Sequence, residues 1–155
     1  MIPVNDLKRG FTVYQAEFEQ KALDVLRSGW YVLGKEVAAF EEEFAAHMEA
    51  KYAVGVDNGL NAIMLGIRAL EIGEGDEVIV AANTYIATVL GASLNHATPV
   101  FVDATPMHNM DPAKIEAAVT PRTKAVLVTH LYGQACEMGP IQDICRKHGL
   151  YLLED

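Results

Sequence analysis

From Tyr52 onward the chain alternates between short apolar runs of strand character and stretches of helical periodicity. This alternation constrains its fold more than any other feature. Strands are predicted at residues 52–56, 77–81, 99–102, 124–129 and 150–153, and helices at 60–70, 86–94, 112–119 and 140–147. Turn signals fall between them at 73–76, 95–98, 120–123 and His148-Gly149. Strands that alternate with helices build βαβ units and a mostly parallel sheet flanked by helices, an α/β fold. Val78, Ile79, Val80 and Ala81 are apolar at successive positions, as expected of a central parallel strand covered on both faces.

The first part of the chain reads differently. Phe18, Ala22, Val25 and Leu26 mark one face of a helix over residues 14–28, which Ser28-Gly29 closes. Residues 30–34 form a loop. Val37, Phe40, Phe44 and Met48 mark a second amphipathic helix with an acidic, solvated outer face. Residues 1–51 are therefore expected to form a helical arm or layer, and residues 52–155 the sheet domain.

With 155 residues, 51% hydrophobic and 21% charged, the chain can bury a sizeable core. Its net charge of −9, without a Lys/Arg cluster, argues against nucleic acid as a partner. No apolar run reaches the ~18 residues of a membrane span, and MIPVNDLKRG lacks a signal-peptide core, which predicts a cytoplasmic protein without membrane partners. Cys136 and Cys145 fit free thiols in a reducing compartment. The histidines His47, His96, His108, His130 and His148 show no metal-ligand spacing, so no metal is expected.

In open α/β sheets, ligands bind beyond the carboxyl ends of the strands. The residues placed there are Asp57, Asn58 and Gly59; Asn83, Thr84 and Tyr85; Asp103; His130 and Tyr132; and Glu154 and Asp155. In VGVDNGLNAI a turn opens directly onto a helix, whose free N–H groups and partial positive charge suit a phosphate. Gly59 removes the side chain where such a ligand approaches. A phosphate at Gly59–Asn61, a ring stacked on Tyr85 and a carboxylate paired with a ring nitrogen fit pyridoxal 5'-phosphate. That cofactor needs a protonated ring as its electron sink. No GxGxxG follows a strand, so a dinucleotide site is not supported.

The segments SGWYVLGKEVAAFEEEFA, VGVDNGLNAI, GDEVIVAANTYIAT, PVFVDA, TKAVLVTHLYG and HGLYLLED span nearly the whole chain. In them the chain resembles the N-terminal part of the DegT/StrS family of pyridoxal-phosphate-dependent nucleotide-sugar aminotransferases. NGLNA and ANTYIAT look most like the branch acting at the 3-position of 3-keto-6-deoxyhexoses. The resemblance implies the large domain of a fold-type I, aspartate-aminotransferase-like enzyme. It implies that Gly59 and Leu60 supply backbone N–H groups to the cofactor phosphate, with Asn61 nearby. It further implies that Tyr85 stacks on the pyridine ring and Asp155, of the family's "ED" pair, binds the pyridine nitrogen. Where the family often has Ser-Gly-Thr, this chain has Asn58-Gly59-Leu60, so a contact from Leu60 must come from its backbone.

By the same resemblance the Schiff-base lysine comes some tens of residues after the "ED" pair. Lys8, Lys21, Lys35, Lys51, Lys114, Lys124 and Lys147 do not match it. The sequence thus reads as the truncated, C-terminally incomplete portion of a larger enzyme, with no catalytic residue of its own and inactive alone. The complete enzyme is expected to be a homodimer that moves an amino group, with glutamate as donor, onto a nucleotide-linked keto-deoxysugar. In such a dimer the 30–34 loop would serve a neighbouring site. Two rivals stand beside this reading. Relatives with histidine in place of the lysine dehydrate keto-sugars, and a chain without the lysine could be a non-catalytic binding protein. A flavodoxin-like or Rossmann-like module gives no role to the N-terminal helices or the "ED" pair.

Overall fold

A computed structural model describes residues 5–155, which fall into two compact units, one reaching to Gly55 and the other running from Val56 to Asp155. In the first unit Asp6 caps α1 (Leu7–Val13) by accepting from the Arg9 N–H at 3.0 Å. Next come α2 (Gln15–Ser28), stopped by Gly29 at φ 69°, and α3 (Lys35–His47). Both longer helices fall where their periodicity places them, and residues 30–34 form the expected loop. None of the residues in α1–α3 is buried, so stacked pairs such as Phe40 and Phe44, with centroids 5.4 Å apart, are only partly covered.

Residues 52–56 do not form the predicted strand. Strand propensity is realised only by pairing with a neighbour, and none of the sheet's strand pairings includes these residues. Tyr52 and Val54 are exposed, and the Gly55 N–H donates to Glu41 Oε1 at 2.6 Å.

The second unit is the parallel sheet. In chain order it runs α4 (Gly59–Ala69), β1 (Glu77–Ala81), α5 (Ile86–Ser93), β2 (Thr98–Val102), α6 (Pro112–Ala118), β3 (Thr123–Val128), α7 (Met138–His148) and β4 (Tyr151–Glu154). The strand order is β2-β1-β3-β4, all parallel. Alternation along the strands divides the core. Val78, Val80, Ala125 and Leu127 pack with Ile67 of α4 and Ala92 of α5 on one face. Ile79, Ala81, Val126 and Val128 pack with Ile115 of α6 and with Ile141 and Cys145 of α7 on the other. This three-layer arrangement explains why β1 is buried along its whole length.

Adjacent strands β1 and β3 therefore lead to helices on opposite faces, α5 and α7. Such a reversal opens a crevice at the carboxyl ends of the two strands.

At the other end of the sheet the Glu77 side chain is buried. It accepts hydrogen bonds from the hydroxyls of Thr120 and Thr123 and from Arg122, whose Nε lies at 3.0 Å. The Thr120 hydroxyl and then the Arg122 guanidinium hold its carboxyl below the ordinary glutamate value. A lowered folded value means that the stabilisation is complete above the unfolded pKa and disappears as pH falls through the folded one. Urea midpoints measured against pH are expected to fall below about pH 4.3 more steeply for the parent protein than for Glu77→Gln. Parallel curves would show that Glu77 does not couple folding to protons.

Candidate functional site

Beyond the carboxyl ends of β1 and β3 four side chains from separate segments meet. The loop after β1 contributes Thr84, the first turn of α5 contributes Thr88, Thr129 follows β3 and Asp155 follows β4. Thr88, 1% exposed, donates from Oγ1 to Asp155 Oδ2 at 2.5 Å. The Thr84 hydroxyl donates to Thr88 Oγ1 at 3.0 Å and lies 2.9 Å from Thr129 Oγ1, and Thr129 Oγ1 is 3.3 Å from the same Asp155 oxygen. The Asp155 backbone continues the ladder between β3 and β4: its N–H donates to the Val128 carbonyl at 2.8 Å, and its carbonyl accepts from His130 N–H at 3.1 Å.

Tyr85 is the N-cap residue of α5, three positions before Thr88, and is 73% exposed. Little of its side chain is covered by the rest of the protein. On the other side, His130 Nδ1 accepts from the Cys136 N–H at 3.1 Å, so the ring proton sits on Nε2 and is donated to Glu154 Oε2 at 3.0 Å. Burial pushes the Cys136 and Cys145 thiols up, which keeps both protonated free thiols. The Cys136 Sγ donates to the Thr129 carbonyl at 3.3 Å.

The loops of the rim are laced together. Asn83 Nδ2 donates to the His108 carbonyl at 2.8 Å. Asn109, nearly buried, donates to the carbonyls of Gln134 and Ala135 at 2.8 and 3.1 Å and accepts from the Leu131 N–H at 3.3 Å. These bonds join the β2–α6 loop to the β3–α7 loop and give the rim a fixed shape.

The start of α4 forms a separate cluster. Asn58 is the N-cap, its Oδ1 accepting from the Asn61 N–H at 2.9 Å. Asp57 accepts from the Asn58 amide at 3.0 Å and from the Asn61 amide at 2.7 Å. Asn61 is thus committed through both backbone and side chain. The N–H groups of Gly59 and Leu60, in the first turn, have no intrahelical acceptor and remain for an anion. Gly59 meets no heavy atom within 4 Å of the position a Cβ would take, so its surroundings are open.

Of the rim residues named from the sequence, Thr84 and Asp155 are brought into one network, and His130 pairs with Glu154. Asp103 instead pairs with Lys114 of α6 at 3.3 Å, and Tyr132, at φ 57° and 92% exposed, touches none of them. Thr88, Thr129 and Asn109 escaped the sequence reading. A signal for Thr88 existed: it is a hydroxyl four residues after Thr84 in the otherwise apolar stretch IATVLGA, where it can face Thr84 across a helical turn. Among the described residues no cluster of potential ligands suits a metal ion, and no helix is long and apolar enough to cross a membrane.

A three-layer α/β unit with polar side chains gathered beyond its strand ends is also the fold of known proteins. The model of the DegT/DnrJ/EryC1/StrS aminotransferase family matches residues 13–155, and the chain belongs to that family. It is 53% identical over 156 residues to the dTDP-3-amino-3,6-dideoxy-alpha-D-galactopyranose transaminase of Aneurinibacillus thermoaerophilus, covering 100% of this chain and 43% of the relative. Among solved structures it superposes on S. venezuelae DesV, determined in complex with a ketimine intermediate. The TM-score is 0.96 at 45% identity, covering 99% of this chain and 42% of that one. It also matches NtdA from Bacillus subtilis with bound cofactor PMP, with a TM-score of 0.93 at 33% identity, over 99% of this chain and 36% of that one. The chain therefore spans less than half the length of these relatives. The fold expected from the sequence, a parallel sheet flanked by helices of the sugar-aminotransferase type, is the fold observed.

Proposed function

We propose that these residues form the cofactor seat of a pyridoxal-phosphate-dependent enzyme that transfers an amino group to a nucleotide-linked keto-deoxysugar. The observation that carries this reading is the Asp155 carboxylate beyond the end of β4, held on one oxygen by Thr88 and Thr129. The phosphate binds the N–H groups of Gly59 and Leu60, with Asn61 bracing the turn through Asn58 and Asp57. Tyr85 stacks on the pyridine ring and Asp155 meets its nitrogen. Bound there, the cofactor supplies an electron sink that stabilises a carbanion at the carbon bearing the amino group. The residues around it do the positioning: the carboxylate keeps the ring nitrogen protonated and the threonines keep the carboxylate in place.

Amino transfer is favoured over dehydration because the relative from A. thermoaerophilus is a transaminase of a 3-amino sugar. Glutamate as donor, a homodimeric assembly and a cytoplasmic location belong to the same proposal. Lys21, Lys114, Lys124 and Lys147 lie in ion pairs with Glu36, Asp103, Asp76 and Glu116, which fits a seat whose Schiff-base lysine comes from elsewhere in the enzyme.

The reading is tested by adding pyridoxal phosphate to the full-length protein. It predicts a visible band near ~400–430 nm that borohydride removes as the cofactor is fixed to a lysine. Failure to bind the cofactor would refute it. Tyr85→Ala is expected to weaken cofactor binding between about twofold and tenfold, the worth of one stacking contact. Unchanged affinity would mean that Tyr85 does not stack.

A further inference from the structure

The hydroxyls around Asp155 have a direction. Each threonine has one proton to donate, whereas an ionised carboxylate only accepts. Thr88 donates to Asp155 Oδ2 and so must accept from Thr84. With its proton committed to Thr88, Thr84 can only accept from Thr129, 2.9 Å away. Thr129 alternatively turns its proton to Asp155 Oδ2 at 3.3 Å. In both arrangements the chain ends on the same carboxylate oxygen. Among the described residues no hydrogen bond reaches Oδ1.

We infer that Thr88 is a positioning residue: fed by Thr84 and Thr129, it pins Oδ2 of Asp155 and thereby reserves Oδ1 for the cationic ring N–H of the ligand. Its hydroxyl acts from a buried site in the first turn of α5, while Thr84 and Thr129 follow the two strands that flank the crevice. Chains of this kind polarise one another, so the donor next to the carboxylate strengthens as those behind it form. The inference rests on the proposed pairing of Asp155 with the pyridine nitrogen.

The test is the dissociation constant of pyridoxal phosphate for the full-length protein carrying Thr88→Val, Thr88→Ser, Asp155→Asn, and Thr88→Val with Asp155→Asn. Thr88→Val keeps the shape and removes the donor. It is expected to weaken binding about tenfold, as loss of a hydrogen bond to a charged group does. Thr88→Ser restores the donor and is expected to bind within about twofold of the parent. In the Asp155→Asn background Thr88→Val is expected to add nothing, because Thr88 acts only through the carboxylate. The inference is overturned if Thr88→Val weakens binding equally in that background, if serine fails to rescue, or if Thr88→Val binds like the parent. Parent-like binding by Asp155→Asn itself would refute the pyridine-nitrogen assignment and this role with it, an outcome the Thr88 variants alone do not produce. Should Thr88→Val not fold, Thr129→Val asks the same question from the far end of the chain. It is expected to weaken binding about threefold and to lose that effect in the Asp155→Asn background.

Discussion

Asp155→Ala in the full-length protein is expected to weaken pyridoxal-phosphate binding at least about tenfold. It is also expected to reduce turnover with glutamate by a factor on the order of 100 or more. The physical reason is charge. On the proposed pairing, loss of the carboxylate would remove the charge that favours a proton on the ring nitrogen, and the ring would lose its strength as an electron sink. The fold should survive, because Asp155 contributes to the β3–β4 ladder through its backbone, which alanine retains. Cofactor affinity and rate are the measurements, with the urea midpoint as control. Parent-like rates would remove Asp155 from the site.

The largest effect on stability is expected at Gly91. Here α4 and α5 approach so closely that a Cβ on Gly91 would overlap the side chain of Ile63, coming within 2.9 Å of its Cβ. That atom is anchored to the backbone of α4 and cannot swing aside. Next to it, Asn95 Nδ2 donates to the carbonyls of Met64 and Gly91, both at 2.9 Å, and fixes the helix pair. Gly91→Val is expected to cost about 3 kcal/mol in urea unfolding, the upper part of the overpacking range. Gly91→Ala should cost less, because alanine regains up to ~1 kcal/mol of helix propensity. If the cause is the clash with Ile63, combining Gly91→Ala with Ile63→Ala should cost less than the sum of the single changes. Strict additivity would place the cost elsewhere.

What could be read from the sequence follows from how local each feature is. β1–β4 and the helices between them carry their own patterns: the apolar run Val78–Ala81 in β1, the Asp111-Pro112 start of α6 and the Gly149 stop of α7. Their boundaries agree with the prediction to within about two residues. Residues 52–56 misled because an apolar run with β propensity becomes a strand only beside another strand. α1 leaves no such pattern, because it is one short, exposed element held by the Asp6 cap, with none of its residues buried. The ends of the strands pointed to the rim, and so to Thr84, Tyr85, His130 and Asp155. The partners of Asp155 were not readable, since Thr88 lies 67 positions from it in sequence and Thr129 lies 26. Which polar side chains converge there depends on the strand order β2-β1-β3-β4, and no local pattern encodes that order.

On the proposed function, Asp155, Tyr85 and the first turn of α4 together seat pyridoxal phosphate. The most direct measurement is a crystal structure of the full-length protein with the cofactor bound. The pyridine nitrogen is expected about 2.7–2.9 Å from Asp155 Oδ1, the ring against Tyr85, and phosphate oxygens on the N–H groups of Gly59 and Leu60. A cofactor whose ring nitrogen meets another residue, or whose phosphate lies away from the start of α4, would contradict it.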